Sequence, residues 1–311
     1  MRKKIGFFAR NPLGDGINSL VLSNNFHLNG YEVDTYNISL CTMKNWFPHL
    51  PIFPYPDPSK IPELVDQYDS IVVVWDPKTE FITALVKHAK QHCPDKIKVM
   101  YLYPSKRAVN ERYYSDCPVN TSKPIVENYK ILFEQVFALS NFIKQNGFVP
   151  PDGLIFRKNP KRVVIHPTGS GENYWPKDKF TKLAEHIESL GFEPVIIPGT
   201  AHMDGWRNCR FKTVDFLTVD GLARFIYESE YLVGSDSGPG HLASSFGIST
   251  LTICRRKALA NLWAPSLAKN ITLTPSSLVP NLHGMRLRDR HWDKFISLKR
   301  ACKGFKKITS N

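Results

Sequence analysis

The sequence predicts an α/β protein of two doubly wound domains, and three observations carry that expectation. Short β-branched apolar runs alternate with stretches of helical period along the whole chain. One such run, Ser70–Trp75 (SIVVVW), lacks the in–out alternation of a half-exposed strand, as expected where helices cover both faces of a parallel sheet. A stretch broken by proline and glycine, Phe148–Pro160, then separates one βα series from a second. With 311 residues, two domains of about 150 each are the natural division. The expected boundaries are 1–150 and 151–285, followed by a basic C-terminal helix, 286–311, packing back toward the first domain.

The elements follow in order. Lys4–Ala9 (KIGFFA) is a short buried strand, followed by a glycine-rich turn and a helix over Ile17–Leu28 that Asn29-Gly30 ends. Glu32–Tyr36 is the second strand, and residues 45–62 are proline-rich and irregular. After strand Ser70–Trp75 come helix Phe81–His92 and strand Lys98–Leu102. Residues 104–123 are polar, basic and without period, and Ile125–Asn146 reads as a long amphipathic helix. The second series runs from strand Arg162–His166 through loop 167–176, helix Lys177–Leu190 and strand Pro194–Ile197. Helix Asp220–Glu230, strand Tyr231–Gly234, a further helix and strand Thr250–Cys254 complete it, with a final helix over His291–Lys303. Each domain is Rossmann-like, with a parallel sheet whose ligands bind at the carboxyl ends of the strands. Two such domains facing each other enclose a central cleft. This is the GT-B layout of many glycosyltransferases, which two-domain kinases and binding proteins share.

Charge narrows the partners. The net charge is +13, and Arg286 to Lys307 contributes nine cations against Asp289 and Asp293. Anionic partners follow: nucleic acid, phosphorylated small molecules or an acidic membrane surface. The chain has no RNP-type aromatic motif, zinc-finger spacing or evident helix-turn-helix, which argues against nucleic acid. The six cysteines form no CxxC and no Cys/His cluster at metal spacing. No apolar run approaches the ~20 residues of a membrane span, and Ile5–Ala9 is too short for a signal-peptide core. The expectation is a cytoplasmic protein, with peripheral contact at the inner face of the inner membrane as a further expectation. Lysines beside Trp292 and Phe295 would make that contact, each cation being worth about 1 kcal/mol at an anionic surface.

Three loops, each directly after a strand, carry the candidate chemistry. In the first, Asn11-Pro12-Leu13-Gly14-Asp15-Gly16, the glycines allow a tight turn and leave Asp15 exposed at the start of a helix. Asp15 there is either a helix cap or a functional carboxylate. The second, His166-Pro167-Thr168-Gly169-Ser170-Gly171-Glu172-Asn173-Tyr174-Trp175-Pro176, offers hydroxyls and backbone N–H groups to a phosphate. Lys177 and Lys179 lie in the helical turn after it, where cations oppose the helix dipole unless an anion is bound. Alternatively it is a plain surface loop. The third is Ser235-Asp236-Ser237-Gly238-Pro239-Gly240-His241, at a strand-to-helix turn. Glycines before a helix N-terminus make an anion site. Ser235, Ser237 and the N–H groups from Ser237 to His241 would hold a diphosphate, and Asp236 a sugar hydroxyl. The plainer alternatives are an Asx-turn for Asp236 and a backbone-satisfied ring for His241.

At this point the residues resemble a known family. Asp236-Ser237-Gly238-Pro239-Gly240-His241-Leu242-Ala243 resembles the D-[ST]-G-x-x-H-L motif of glycosyltransferase family 9, the heptosyltransferases. Leu13-Gly14-Asp15 resembles that family's N-terminal G-D motif, and His166-Pro167 with Trp175-Pro176 its opening of the second domain. Val219-Asp220-Gly221-Leu222 resembles the segment where an acid meets the nucleotide ribose. The resemblance implies an inverting transfer of heptose from ADP-heptose to a lipopolysaccharide inner-core acceptor such as Kdo-lipid A. Asp15 would be the general base, with Gly14 and Gly16 beside it on the acceptor side. Thr168, Gly169, Ser170, Lys177, Asp220, Asp236, Ser237, Gly238, Pro239, Gly240 and His241 would bind the donor. Lys106, Arg107 and Arg112 would meet an acidic lipid-linked acceptor, unless loop 104–123 is only a solvated basic loop.

The chain departs from the family pattern in three places. The lysine usual before the tryptophan of the second loop is absent from Glu172-Asn173-Tyr174-Trp175, with Lys177 the candidate substitute. Gly16 and Val21 replace a branched apolar residue and a frequent proline. No D-x-D triad occurs, so metal independence is expected, with no cofactor beyond the nucleotide-sugar substrate. Two alternatives are a GT-B transferase using another nucleotide sugar for a different glycan or protein, and a degenerate binder without turnover.

Overall fold

The computed structural model describes residues 2–102, 117, 119–169, 174–281 and 286–310. It divides into two compact units, Met1–Pro151 and Asp152–Asn311, and the boundary falls inside the expected linker.

The first unit is built on a five-stranded parallel sheet of order β3-β2-β1-β4-β5. Its strands are β1 Lys4–Phe8, β2 Glu32–Tyr36, β3 Ile52–Phe53, β4 Ser70–Val74 and β5 Ile97–Met100. The apolar runs become strands as expected, because Ile71, Val72, Val73 and Val74 are all buried between helices. Helix α1 (Leu13–Leu28) is enclosed on most sides, and its polar residues are buried with partners. The Ser19 hydroxyl meets the Tyr129 hydroxyl at 2.9 Å, and Ser23 meets Thr35 at 2.7 Å. A buried polar group costs stability unless it is hydrogen-bonded, so these pairs fix α1 against Tyr129 and against β2.

Three local expectations for this unit change. Helix α1 begins at Leu13 rather than Ile17, so Gly14, Asp15 and Gly16 form its first turn and not a preceding loop. Residues 45–62 are not irregular throughout: 3₁₀ turns flank β3, and α2 (Ile61–Asp66) follows. The long helix expected over 125–146 is α4 (Ile125–Ile131) with a π-turn over Leu132–Val136, while α3 (Glu80–His92) agrees with expectation. Beyond it, α1 replaces the helical ladder. The Asn25 amide donates to the Ile143 carbonyl and accepts from its N–H, each at 2.8 Å, and Asn24 donates to the Gln145 carbonyl at 3.0 Å. Phe137 and Phe142 pack against Phe26 and Phe133.

The second unit repeats the plan with order β10-β9-β8-β6-β7, all parallel. Its strands are β6 Asn159–His166, β7 Glu193–Ile196, β8 Ser229–Ser235, β9 Ser249–Ile253 and β10 Asn270–Leu273. The helices are α5 Lys177–Ser189, α6 Val219–Tyr227, α7 Gly238–Ser245, α8 Lys257–Trp263, α9 Leu287–Arg290 and α10 Leu298–Thr309. Helix α6 ends earlier than expected, and β8 starts earlier. The last helix is displaced from His291–Lys303 to Leu298–Thr309, where the Ser297 hydroxyl caps it by accepting from Arg300 N–H. Its Ala301, Phe305 and Ile308 are buried in the core of this unit with Val163, Ile165 and Leu251. Gly304 allows that approach, since a Cβ there would lie 2.7 Å from Leu251. The segment expected to pack toward the first domain therefore buries its apolar face here. Trp292, expected at a membrane surface, is 4% exposed in the same core and cannot serve that role. Among the described residues no helix is long and apolar enough to cross a membrane.

Candidate active site

Each sheet reverses its winding next to its first strand, and crevices for ligands open at such points. In the first unit the reversal lies between β1 and β4. The chain leaving β1 carries Arg10 and then Asp15, and the chain leaving β4 carries Asp76. These residues meet: Arg10 Nη1 lies 3.0 Å from Asp15 Oδ2, and Arg10 Nε 3.8 Å from Asp76 Oδ2. The Asp15 side chain is only 15% exposed, which corrects the expectation of a carboxylate standing free in solvent. Asp76 also accepts from Lys78 N–H and the Thr79 hydroxyl, each at 3.1 Å, which holds it at the entry to α3.

Gly16 serves packing rather than turning. A Cβ there would lie 2.8 Å from Asn37 Nδ2. The Asn37 amide donates to the Arg10 carbonyl at 2.5 Å while its oxygen accepts from Leu40 N–H at 3.0 Å. The missing side chain thus admits the clamp that fixes the Arg10 backbone. Arg10 and Asp76 escaped sequence reading because they lie 66 positions apart; only the β1–β4 pairing joins them. A charged residue just beyond each of two buried strands was the available signal.

In the second unit the reversal lies between β6 and β8, and the two remaining loops meet there. The backbones come very close. A Cβ on Gly234 would lie 2.4 Å from the His166 carbonyl oxygen, and one on Gly169 2.8 Å from that of Asp236. The Ser235 hydroxyl donates to the Pro167 carbonyl at 2.7 Å, so Ser235 ties the loops together and does not present its proton to a ligand. The Ser237 hydroxyl donates to the Ser235 carbonyl at 3.0 Å. Thr168 donates to the Pro198 carbonyl at 2.6 Å, and His166 Nδ1 meets the Ile197 carbonyl at 2.6 Å.

Helix α7 starts directly at this seam. Its first N–H groups have no partner inside a helix. Pro239 has no N–H, and Gly240 N–H bonds back to the Ser237 carbonyl at 3.1 Å, which among the described residues leaves Ser237 and Gly238 to present theirs. His241 is buried, and burial lowers its pKa to about 4, so the ring is neutral at pH 7. His166 is likewise held at about 4, mainly by burial. Asp236 is raised to about 6 by burial, against the opposing pull of the Cys254 thiol 3.7 Å from Oδ2. The Cys254 thiol is itself pushed up to about 12, first by burial and then by Asp236.

Lys177 and Asp220 are engaged within the unit. The Lys177 ammonium donates to the Gly205 carbonyl and lies 5.2 Å from the Trp206 ring centre. Lys179 donates to the Asp293 carbonyl at 2.7 Å, so carbonyl contacts offset the unfavourable helix end for both lysines. Trp175 anchors the same loop, its indole N–H donating to the Ile296 carbonyl at 2.9 Å. Asp220, in the first turn of α6, pairs with Arg224 at 2.8 Å, a partner the helical spacing of four residues allowed. Ser170, Lys106, Arg107 and Arg112 lie outside the described residues.

Two units, each with a five-stranded parallel sheet and polar loops gathered at its switch point, define the α/β class described above. No family model matches the sequence, and no curated protein matches it. Solved structures do share the fold. The glycosyl transferase family 9 protein from Veillonella parvula is 13% identical, with 98% of this chain and 97% of that one covered at a TM-score of 0.72. The E. coli ADP-heptose lipopolysaccharide heptosyltransferase II is 14% identical, with 98% of each chain covered at 0.69. The E. coli heptosyltransferase WaaC with ADP is 12% identical, covering 98% of this chain and all of that one at 0.66.

Proposed function

We propose that this protein is an inverting, metal-independent glycosyltransferase that takes its sugar from a nucleoside diphosphate, with ADP-heptose the first donor to test. The observation that carries the reading is the β6–β8 switch point, where Gly169, Asp236, Ser237 and the start of α7 converge. A nucleotide diphosphate gathers charge as it leaves, and preorganised N–H donors stabilise that charge. Ser237 and Gly238 supply them, with Thr168 and neutral His241 shaping the loops around them. Asp236 would accept from a sugar hydroxyl, and Asp220 from a ribose hydroxyl.

In the reaction an acceptor hydroxyl attacks the anomeric carbon. The bond from that carbon to the diphosphate oxygen breaks, and the hydroxyl proton passes to the Asp15 carboxylate. Arg10 holds Asp15 in position, and Asp76 braces Arg10. The structural neighbours include an ADP-heptose lipopolysaccharide heptosyltransferase and a heptosyltransferase with ADP bound, which supports ADP-heptose as donor and a lipopolysaccharide acceptor; Kdo-lipid A is the first acceptor to test. The absence of the family's lysine before Trp175, with Lys177 bound to Gly205, supports a second reading: another nucleotide sugar on another glycan or protein.

Calorimetric titration with ADP, UDP, GDP and CDP, without metal, tests the donor site. Preference for ADP, lost in Asp236→Ala, is the expected result and leads to a transfer assay with ADP-heptose. Preference for another nucleotide selects the second reading. Binding to none of them refutes both and leaves a protein without a nucleotide-sugar site.

A further inference from the structure

A cavity walled by charged side chains lies one strand over from the β6–β8 seam, at the carboxyl ends of β9 and β10. Its volume is 360 Å³, within the range of about 300–1,000 Å³ typical of small-molecule sites. Arg255, Arg256 and Lys257 line it from the chain leaving β9, and Arg288 and Asp289 from α9. Four cations therefore face one carboxylate. That carboxylate is already taken, since Asp289 Oδ2 lies 3.2 Å from Arg256. Among the described residues Arg255 and Arg288 make only carbonyl contacts, to Asp289 at 3.1 Å and Ser277 at 3.3 Å. These bonds hold the guanidinium groups in place without neutralising them.

Two polar atoms in this wall are buried and lack a partner among the described residues: Arg255 Nε, a donor, and Asn281 Oδ1, an acceptor. Such atoms are costly to leave unmet. A tetrahedral phosphate with three acceptor oxygens suits the fixed donor forks of two arginines and the charge of Lys257. A neighbouring hydroxyl suits the amide oxygen of Asn281. We propose that this cavity binds a phosphomonoester carried on a sugar. The inference stands on the cavity alone and does not require the transfer reaction. The cavity also borders the donor loop, because Cys254 Sγ contacts both Asp236 and, at 3.4 Å, the Arg256 carbonyl. The phosphate would belong either to a free sugar phosphate or to a phosphorylated glycan.

The test is calorimetric binding of glucose 6-phosphate, with glucose as the uncharged control, in the absence of nucleotide. Glucose 6-phosphate should bind where glucose does not. Arg255→Gln with Arg288→Gln should weaken it by at least about tenfold, as expected on losing charge-assisted hydrogen bonds. Lys257→Gln, at an exposed position with no partner among the described residues, should weaken it by about threefold, and it keeps the test valid if the double variant fails to fold. A pentamannose bearing a terminal 6-phosphate separates the sources: tighter binding than glucose 6-phosphate assigns the site to a glycan, and equal binding to a free sugar phosphate. Unchanged affinity in both variants would overturn the proposal. So would displacement of glucose 6-phosphate by ADP with parallel loss of both in the variants, because the cavity would then be part of the nucleotide site. If no nucleotide binds while glucose 6-phosphate does, the transferase reading fails and this site remains.

Discussion

Replacing Asp236 by Asn should make the second unit more stable at neutral pH, although it removes a proposed donor-binding group. Burial raises the Asp236 pKa from an ordinary 3.8 to about 6. The folded chain then holds this proton more tightly than the unfolded chain does. Stability from this group is therefore greatest below about pH 4, falls as pH rises, and levels off above about pH 6. The shift is just over two pH units, and each unit corresponds to about 1.36 kcal/mol, so the ionised carboxylate costs about 3 kcal/mol at pH 7.5. Asparagine keeps the shape and an oxygen for the Cys254 thiol without that charge. For a unit of this size, about 3 kcal/mol corresponds to a rise in Tm of roughly 6–12 °C. Scanning calorimetry of both proteins at pH 4.5, 6.0 and 7.5 is the assay, with the transition of each unit followed separately. His166 and His241 titrate in the opposite sense, their contribution being full above about pH 6.5 and lost as pH falls toward 4. Both are present in each protein, so they cancel in the difference. A difference that does not grow with pH, or a variant less stable at pH 7.5, would refute the reasoning. It would show that the N–H groups at the start of α7 stabilise the carboxylate more than burial destabilises it.

Three further outcomes are expected. Asp15→Asn should lower transfer kcat by about 10²–10⁴-fold while nucleotide affinity stays the same, and equal turnover in the variant would remove Asp15 as the base. Gly234→Ala should destabilise the second unit by about 1–3 kcal/mol or prevent folding, because its Cβ would press on the His166 carbonyl; urea unfolding measures this. Trp175→Phe removes the indole donor to the Ile296 carbonyl and should cost about 1–2 kcal/mol, with faster amide exchange over residues 291–297 as the local signature.

The sheets were legible in the sequence because a strand covered on both faces must be apolar throughout. Residues 71–74 and 163–165 carry that requirement in their own side chains. The candidate loops were legible for a related reason: glycines and hydroxyls directly after a buried strand have few structural uses there. Less was legible where a segment's partner lies far along the chain. Residues 137–146 have enough helical period to suggest continuation, yet Asn24 and Asn25 satisfy their backbone groups instead. Trp292 and Ile296 look like the face of a helix, yet they enter the core one after the other ahead of α10.

The sequence by itself therefore determined the α/β class, its buried parallel strands, and the loops that follow β6 and β8. Periodicity and turn chemistry are local properties, and local residues encode them. Only the tertiary structure decided that Arg10 joins Asp15 to Asp76, that Gly169 admits the Asp236 backbone, and that Arg255 and Arg288 face one cavity. Each of these depends on which strand lies beside which. That order comes from packing the whole sheet, and no short stretch of residues contains it.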